Sequence, residues 1–227
     1  DWLRNRVAEN QPYDELVRDI LTASSRDATD AEEWVAFVNK IDAQMTKGFV
    51  TDYADKKTLD LFWRRQQRVP VELWGEKVAA AFLGVRLECA QCHKHPTDRW
   101  TQDDYWGFAN LFAPVVQQNN QFSDREVKKV ADAENAERRE KNEGRNNNQI
   151  VTVREMHFNP EARSARLRPI AGTTRVVQPK ALGGPTLPHN EGADTRAKLW
   201  EWMHDPANPF FARSFVNRVW AVYFGIG

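Results

Sequence analysis

Cys89, Cys92 and His93, near the middle of the chain, have the types and spacing to do chemistry together. They form the segment Cys-Ala-Gln-Cys-His and include both cysteines of the 227-residue chain. This is the local pattern at which haem is attached covalently in c-type cytochromes. The thiols bind the vinyl groups of the porphyrin, and the adjacent imidazole coordinates the iron. The pattern therefore favours haem c, with Cys89 and Cys92 as anchors and His93 as the proximal iron ligand.

Other chemistries compete for the same residues. Zinc could be bound by the two cysteines with His93 and His95, although structural zinc sites typically draw on two separated ligand pairs. Alternatively, His157, His189 or His204 could supply remote zinc ligands. The cysteines could also form a redox disulfide, but no thioredoxin-like βαβ pattern surrounds them. A purely structural pair of partly buried cysteines is the last alternative, and haem leads among the four.

The second axial ligand of the iron is less clearly marked. Met156 and His157 are neighbours in a predicted strand, so their side chains should face opposite sides. We expect His157 to be the distal ligand, and an open sixth position is almost as well supported. A distal ligand tunes the redox potential, whereas an open position admits small reactive ligands. The chemically suitable side chains are Met45, Met156, Met203, His157, His189 and His204.

His95 needs a role of its own, because it lies only two residues beyond His93 and cannot readily take the opposite face of the same iron. It could form a hydrogen bond near the haem edge, bind a different metal, or fix the His-Pro turn together with Asp98. Arg99 could pair with a haem propionate, although a solvated arginine is the simpler expectation.

A predicted helix that starts after Pro70 leads into the motif. Its apolar residues recur at steps of three and four, which predicts one buried stripe. The stripe consists of Trp74, Val78, Phe82, Val85 and Cys89. Pro96 then blocks a further helical turn, and Thr101 with Asp104 forms a capping box for an aromatic helix.

Further helices are predicted by the same spacing rule. Pro12 suits the first turn of one helix, and Asp30 and Asp194 can cap two others. A further helix is predicted around Leu59, Phe62 and Trp63. The last helix opens at Asn208-Pro209, and the side chains expected to point inward are Phe211, Phe215, Val219 and Trp220.

The β portion of the chain is predicted to be small. Residues 150–158 and 173–177 are the best strand candidates because of their β-branched content. Residues 117–149 are rich in Asn, Gln, Glu, Lys and Arg, with a possible capping box from Ser123 to Glu126, and form a polar insertion or a solvated helix. The predicted fold class is mainly α: a multi-helix domain with a small β hairpin or sheet and this insertion at about 117–149.

Composition excludes several classes of protein. Lys plus Arg and Asp plus Glu both number 32, so the formal net charge is zero, which argues against a dedicated nucleic-acid binder. No apolar run approaches the roughly 20 residues of a transmembrane helix. No carboxylate pair or nucleophile constellation stands out, so the sequence assigns no catalytic activity. The chain starts at Asp1 and stops after an aromatic helix, and we expect it to be a piece of a longer protein.

Three segments carry a resemblance to a known family. The central stretch, from Phe82 through the Cys-Ala-Gln-Cys-His motif to Tyr105, resembles a planctomycete-type family of domains of unknown function that accompany cytochrome-c domains in large secreted proteins. Residues 10–18 and 208–220 are similar to the same kind of protein.

The resemblance implies two adjoining family domains, one at 1–181 with the motif and a second, helical one at 182–227, cut at both ends. It also implies an extracytoplasmic protein, periplasmic or secreted. The partner would then be a redox protein or a neighbouring cytochrome-c domain in the full-length protein.

Overall fold

Helices dominate the part of the chain that the computed structural model describes, which is residues 1–26, 30–45, 52–63, 69–118, 125–141, 155–162, 165–188 and 193–227. The helices are α1 (Trp2–Ala8), α2 (Tyr13–Leu21), α3 (Ala31–Met45), α4 (Val71–Val78), α5 (Gln102–Asn110), α6 (Arg125–Glu140), α7 (Thr195–His204) and α8 (Phe211–Phe224). Two short strands, β1 (Val115–Gln118) and β2 (Glu155–Phe158), pair in an antiparallel sheet. The predicted mainly α fold class is confirmed. None of the described helices is long and apolar enough to cross a lipid bilayer.

The described backbone divides into two compact units, each built from three separated segments of chain. The first unit comprises Asp1–Pro12, Ala23–Arg68 and Gln117–His157. The second comprises Tyr13–Thr22, Val69–Val116 and Phe158–Gly227, and it contains the cysteine-histidine motif. The boundary predicted between residues 181 and 182 divides the chain at one point, whereas each of these units consists of separated segments. That boundary stays a prediction.

In the first unit, α6 packs a narrow apolar face against α3. The buried residues of this cluster are Ala31, Trp34, Val35, Val127 and Ala131. Asp30 caps α3 as predicted, because its Oδ1 accepts a hydrogen bond from the Glu33 amide at 2.8 Å. The predicted polar insertion therefore contains a helix that contributes to a core. Ser123, the first residue of its predicted capping box, lies outside the described residues.

A buried ion pair stabilises the first unit. Lys56 Nζ lies 3.1 Å from Asp60 Oδ1 and donates to the Ser25 carbonyl oxygen at 2.7 Å. Asp60 is fully buried and also accepts hydrogen bonds from the hydroxyls of Ser25, at 2.8 Å, and Tyr53. Every charge in this cluster is thus opposed by another charge or by a hydrogen-bond partner, as burial requires.

Within residues 52–63, where the described segment ends, Leu59, Phe62 and Trp63 do not lie in the regular α-helix that the sequence predicts. The chain forms 3₁₀ turns at Asp52–Asp55 and Asp60–Phe62 instead. We attribute the difference to Asp60, since its buried carboxylate accepts a hydrogen bond from Ser25, 35 residues earlier, and this tertiary interaction overrides the local helical spacing.

The strand predictions are partly right. β2 forms the end of the predicted strand at 150–158, whose first five residues lie outside the described chain. Its partner β1 was not predicted. Residues 173–177 form no strand, and only Val176 pairs, in an isolated bridge with Pro169. The Thr173 hydroxyl donates to the Ile170 carbonyl oxygen at 3.0 Å, and this local bond favours a turn over an extended strand.

In the second unit, α4 and α5 approach each other closely. A Cβ on Gly75 of α4 would lie 3.1 Å from the Ala109 Cα of α5, so only glycine fits there without displacing the neighbouring backbone. The Trp74 and Phe112 rings pack across the same contact, with centroids 6.2 Å apart. Thr101 and Asp104 form the predicted capping box at the start of α5. The start and position of α5 are therefore both fixed.

The last two helices begin as the sequence predicts. Asp194 caps α7, because its Oδ1 accepts a hydrogen bond from the Arg196 amide at 2.9 Å. Asn208 Oδ1 accepts hydrogen bonds from the amides of Phe210, just before α8, and Phe211, the first residue of α8. The inward face predicted for α8 is correct for Phe211, which is buried, and for Phe215, whose ring stacks on Tyr13 at 4.0 Å between centroids. Val219 and Trp220 are exposed, because this helix is apolar on several sides and its spacing does not mark the buried one.

Candidate functional site: the cysteine-histidine turn

α4 precedes the candidate site in the chain. Beyond Val78 the helix continues as one π turn, Ala79–Leu83, and it ends at Gly84, whose φ of 68° is left-handed. The predicted stripe residues Trp74, Val78, Phe82 and Val85 are buried. Cys89 is not part of that stripe, because it lies beyond Gly84 in a 3₁₀ turn, Glu88–Gln91, and is exposed. The prediction for Cys89 is wrong, since it extended the helical period past the residue that ends the helix.

Two apolar side chains anchor the turn. Leu87 and Ala90 are buried, and the Ala90 amide donates to the Leu87 carbonyl oxygen at 2.8 Å. This places the intervening Cys89 and the following Cys92 at the surface, both as free cysteines. Both sulfur atoms are therefore accessible for addition, oxidation or ligation.

The His93 side chain has a defined tautomer. Its Nδ1 lies 2.7 Å from the Lys94 carbonyl oxygen. A carbonyl can only accept, so Nδ1 carries the hydrogen and donates it. In the neutral ring the lone pair is then on Nε2, and His93 is exposed. Nε2 is available as a metal ligand, and the bond at Nδ1 is the kind that orients ligating histidines.

His95 is held differently and fixes the turn. Its backbone amide donates to the Trp100 carbonyl oxygen at 2.8 Å, and its Nδ1 accepts from the Thr97 amide at 3.3 Å. Nε2 therefore carries the hydrogen in the neutral ring. Asp98 Oδ1 accepts from the Arg99 amide at 2.7 Å. The structural role proposed for His95 fits these bonds, whereas a role as metal ligand would require the other tautomer or loss of the Thr97 bond.

Side chains from α5 bind the backbone of the turn. Gln102 Nε2 donates to the carbonyl oxygens of Cys92, at 2.9 Å, and Gln91, at 3.4 Å. Trp106 Nε1 donates to the same Gln91 oxygen at 3.2 Å. Sequence reasoning missed both residues, although their place in the helix that follows the motif was the available signal. The turn is thus clamped between its own buried residues and α5.

Tyr105 lies beneath this clamp as a neutral donor. Its hydroxyl donates to Glu76 Oε1 at 2.6 Å. Burial, followed by the hydrogen bond to Glu76, raises the pKa of Tyr105 well above its usual range. The negative charges of Glu72 and of a Cys92 thiolate act in the same direction. Tyr105 therefore keeps its proton whatever the ionisation state of the nearby thiol.

The favoured distal ligand lies in the first unit. Met156 in β2 is fully buried and His157 beside it is half-buried. His157 belongs to the first unit and the cysteine-histidine turn to the second. Iron coordination by His157 stays a prediction.

The other candidate axial ligands differ in accessibility. Met203 is buried in α7, so it fills core space. His204 at the end of α7 is exposed, and its Nε2 lies 3.0 Å from Asp14 Oδ2. His189 and the side chain of Met45 lie outside what the structure describes.

The turn does not preform a closed zinc site. Within the described ranges, which contain the whole motif, no three His, Cys, Asp or Glu side chains are grouped so as to hold a metal ion. Cys89, Cys92, His93 and His95 therefore do not converge on one point. What the turn offers is two exposed thiols and one imidazole nitrogen.

Two family models match the chain. Residues 1–117, more than half of its length, match PSCyt2, a protein of unknown function (DUF1549). The chain belongs to the PSCyt2 family. Residues 195–227 match PSD1, a protein of unknown function (DUF1553), so two planctomycete-type domains adjoin in one chain, as the resemblance implied. The PSCyt2 match includes the entire cysteine-histidine turn. Comparisons with curated proteins and with solved structures give no match.

Proposed function

We propose that the turn of this PSCyt2-family chain binds haem c covalently and serves electron transfer or an associated redox reaction. Cys89 and Cys92 would be the thioether anchors and His93 the proximal ligand. In each attachment the thiol adds across a vinyl group, so sulfur bonds one carbon and hydrogen the other. The bound haem would supply one-electron redox chemistry at its iron.

The observation that carries the proposal is the hydrogen bond from His93 Nδ1 to the Lys94 carbonyl oxygen, at 2.7 Å. It leaves Nε2 as the ligating nitrogen, fixes the ring orientation and increases the basicity of the ligand. Exposure of both thiols meets the other requirement, since the attached group must reach them from outside.

The residues around the turn have positioning roles in this proposal. Gln102 and Trp106 hold the carbonyl groups of the Cys-x-x-Cys segment, which restricts the distance between the two sulfur atoms. Tyr105 stays protonated, so it adds no charge beside the site. With these groups fixed, little conformational entropy remains to be lost on attachment.

The proposal also places the chain outside the cytoplasm, where c-type haem is attached, as a periplasmic or secreted protein. Its partner would be a redox protein or a cytochrome-c domain. The proposed location and partner both depend on haem binding, and they lose their support if the chain binds no haem.

The test is expression with a haem-c maturation system, followed by a pyridine haemochrome spectrum of the denatured chain. We expect about one covalent haem per chain, no covalent haem in the Cys89→Ser/Cys92→Ser variant, and an altered iron spectrum in His93→Ala. His204→Ala, another exposed histidine in the second unit, is the matched control and should leave the spectrum unchanged.

Absence of covalent haem, while a known c-type cytochrome matures in the same cells, would overturn the proposal. Metal analysis of the same sample then separates the alternatives. One zinc per chain that is lost in the cysteine variant would favour a zinc-stabilised interaction module.

A further inference from the structure

Arg218 of α8 binds the end of the helical segment that leads to the cysteine-histidine turn. Its guanidinium donates to the carbonyl oxygens of Ala80 and Ala81, both at 2.5 Å, in the π turn that follows α4. The last carbonyl groups of a helix have no partner within the helix, so they need a donor from outside it. The forked guanidinium supplies two such donors at once. Arg218 therefore closes the helical segment just before the turn.

Close packing joins α8 to the residue at which this segment ends. A Cβ on Gly84 would lie 3.0 Å from Ser214 Oγ and 3.3 Å from Ser214 Cβ, so α8 lies directly against the left-handed Gly84. Cys89 follows Gly84 by five positions, and Val85 and Leu87 between them are buried. This short, anchored connection would pass a displacement of the π turn on to Cys89.

Phe210, the residue before α8, contacts the chain that leaves the turn. Its ring centroid lies 5.9 Å from that of Trp100 and 5.5 Å from the Arg99 guanidinium carbon. Trp100 is buried, and its carbonyl oxygen accepts a hydrogen bond from the His95 amide at 2.8 Å. Phe210 thus packs against the end of the turn, whereas Arg218 binds the chain ahead of it.

α2 holds α8 between these two contacts. The Tyr13 ring stacks on Phe215, with centroids 4.0 Å apart, and on Phe211, with centroids 5.5 Å apart. Stacked aromatic pairs add to the stabilisation that burial provides. α8 is therefore fixed while it contacts the chain on both sides of the cysteine-histidine turn.

We propose that the PSD1 part of the chain sets the geometry of the cysteine-histidine turn through α8, with Arg218 and Phe210 as positioning residues. The PSCyt2 match at 1–117 contains the whole turn, but both positioning residues lie in the PSD1 match at 195–227. The PSCyt2 domain alone lacks groups that hold its own site. A displacement of α8 would change the geometry of the turn. The consequence for bound haem rests on the proposed function, whereas the positioning itself does not.

Hydrogen exchange of two backbone amides in the haem-free chain tests the positioning. The Ala90 amide is bonded to the Leu87 carbonyl oxygen in the first half of the turn, and the His95 amide to the Trp100 carbonyl oxygen at its end. A hydrogen-bonded amide exchanges when the structure around it opens, so the two rates, measured by NMR, report the local stability of the two sides separately.

Each substitution should loosen one side of the turn more than the other. Arg218→Gln removes the charged fork and should speed exchange of the Ala90 amide about tenfold, with a smaller effect at His95. Phe210→Ala should affect His95 more than Ala90. Arg218→Lys keeps the charge without the fork and should recover only part of the protection. Arg213→Gln, which removes another exposed arginine of α8, is the matched control and should change neither rate.

Unchanged exchange at both amides in Arg218→Gln and Phe210→Ala would overturn the proposal. So would an equal acceleration throughout α3 and α7, because these residues would then contribute to overall stability and would not position the turn. In the chain matured with haem, Arg218→Gln should also change the absorption spectrum of the iron, and an unchanged spectrum would refute the consequence for haem. If the unsubstituted chain binds no covalent haem, the proposed function fails, and the exchange rates still decide the positioning.

Discussion

Replacing Lys56 with Met should strongly destabilise the first unit. The substitution keeps an apolar stem of similar length but removes the ammonium from its place 3.1 Å from Asp60 Oδ1 and 2.7 Å from the Ser25 carbonyl oxygen. Asp60 is fully buried, so its carboxylate loses the charge that neutralises it. Removing one partner of a buried ion pair costs about 3–5 kcal/mol. For a chain of this size, that corresponds to a fall in melting temperature of roughly 6–20 °C.

Urea unfolding followed by tryptophan fluorescence measures the effect, and Trp34, whose ring centroid lies 5.7 Å from Lys56 Nζ, is one of the tryptophans that report on the first unit. The chain offers a matched control in Lys128→Met. Lys128 pairs with Asp132 at the same i,i+4 spacing, but both side chains are 56% exposed. The control should change the free energy of unfolding by less than about 1 kcal/mol.

A double variant separates the ion pair from other effects of the substitution. Lys56→Met combined with Asp60→Leu removes both charges and should be less destabilised than the sum of the two single variants. If Lys56→Met lowered the free energy of unfolding no more than Lys128→Met does, burial would not determine the contribution of the Lys56–Asp60 pair, and the reasoning would be refuted.

Three further substitutions test other parts of the structure. Thr101→Ala removes the capping hydroxyl of α5 and should lower stability by about 1 kcal/mol in urea unfolding; no loss would contradict the cap. Gly184→Ala would place a Cβ 2.5 Å from Trp202 Nε1, so thermal unfolding should show a loss of about 1–3 kcal/mol, and an unchanged melting temperature would contradict that packing. Arg175→Ala should raise the pKa of Asp103, which its hydrogen bond lowers, as followed by NMR titration. With Arg175 present, this ion pair stabilises the folded chain fully at pH values above the unfolded-state pKa of Asp103, and the stabilisation is lost as the pH falls through the lowered pKa of the folded state. If Asp103 titrated identically in the variant, the pair would not form.

The helix starts were predictable because they depend on neighbouring residues. Asp30, Thr101 and Asp194 each bind a backbone amide no more than three residues away, and that geometry is encoded in the local sequence. The buried stripe of α4 was predictable for a similar reason, since helical spacing fixes which side chains share a face.

Predictions failed where helical spacing does not show where a helix ends, which side of it is buried, or what its side chains bind. The helical spacing predicted that Cys89 is buried, but Gly84, in a left-handed conformation, ends the helix before Cys89. The spacing in α8 identified a helix without indicating which side is buried. Gln102 and Trp106 were not assigned to the site, although they lie in the helix that follows the motif, because their hydrogen bonds go to carbonyl groups 10 to 15 residues earlier in the chain.

The interleaving of the two units has a consequence for folding and for dissection of the chain. Segments of each unit are separated in sequence by segments of the other, so native contacts require closure of long loops, and a high contact order slows folding. No single cut isolates the unit with the cysteine-histidine turn. Residues 69–116 alone would lack α2, α7 and α8, so a minimal peptide around Cys89 would test the motif without the scaffold that holds it.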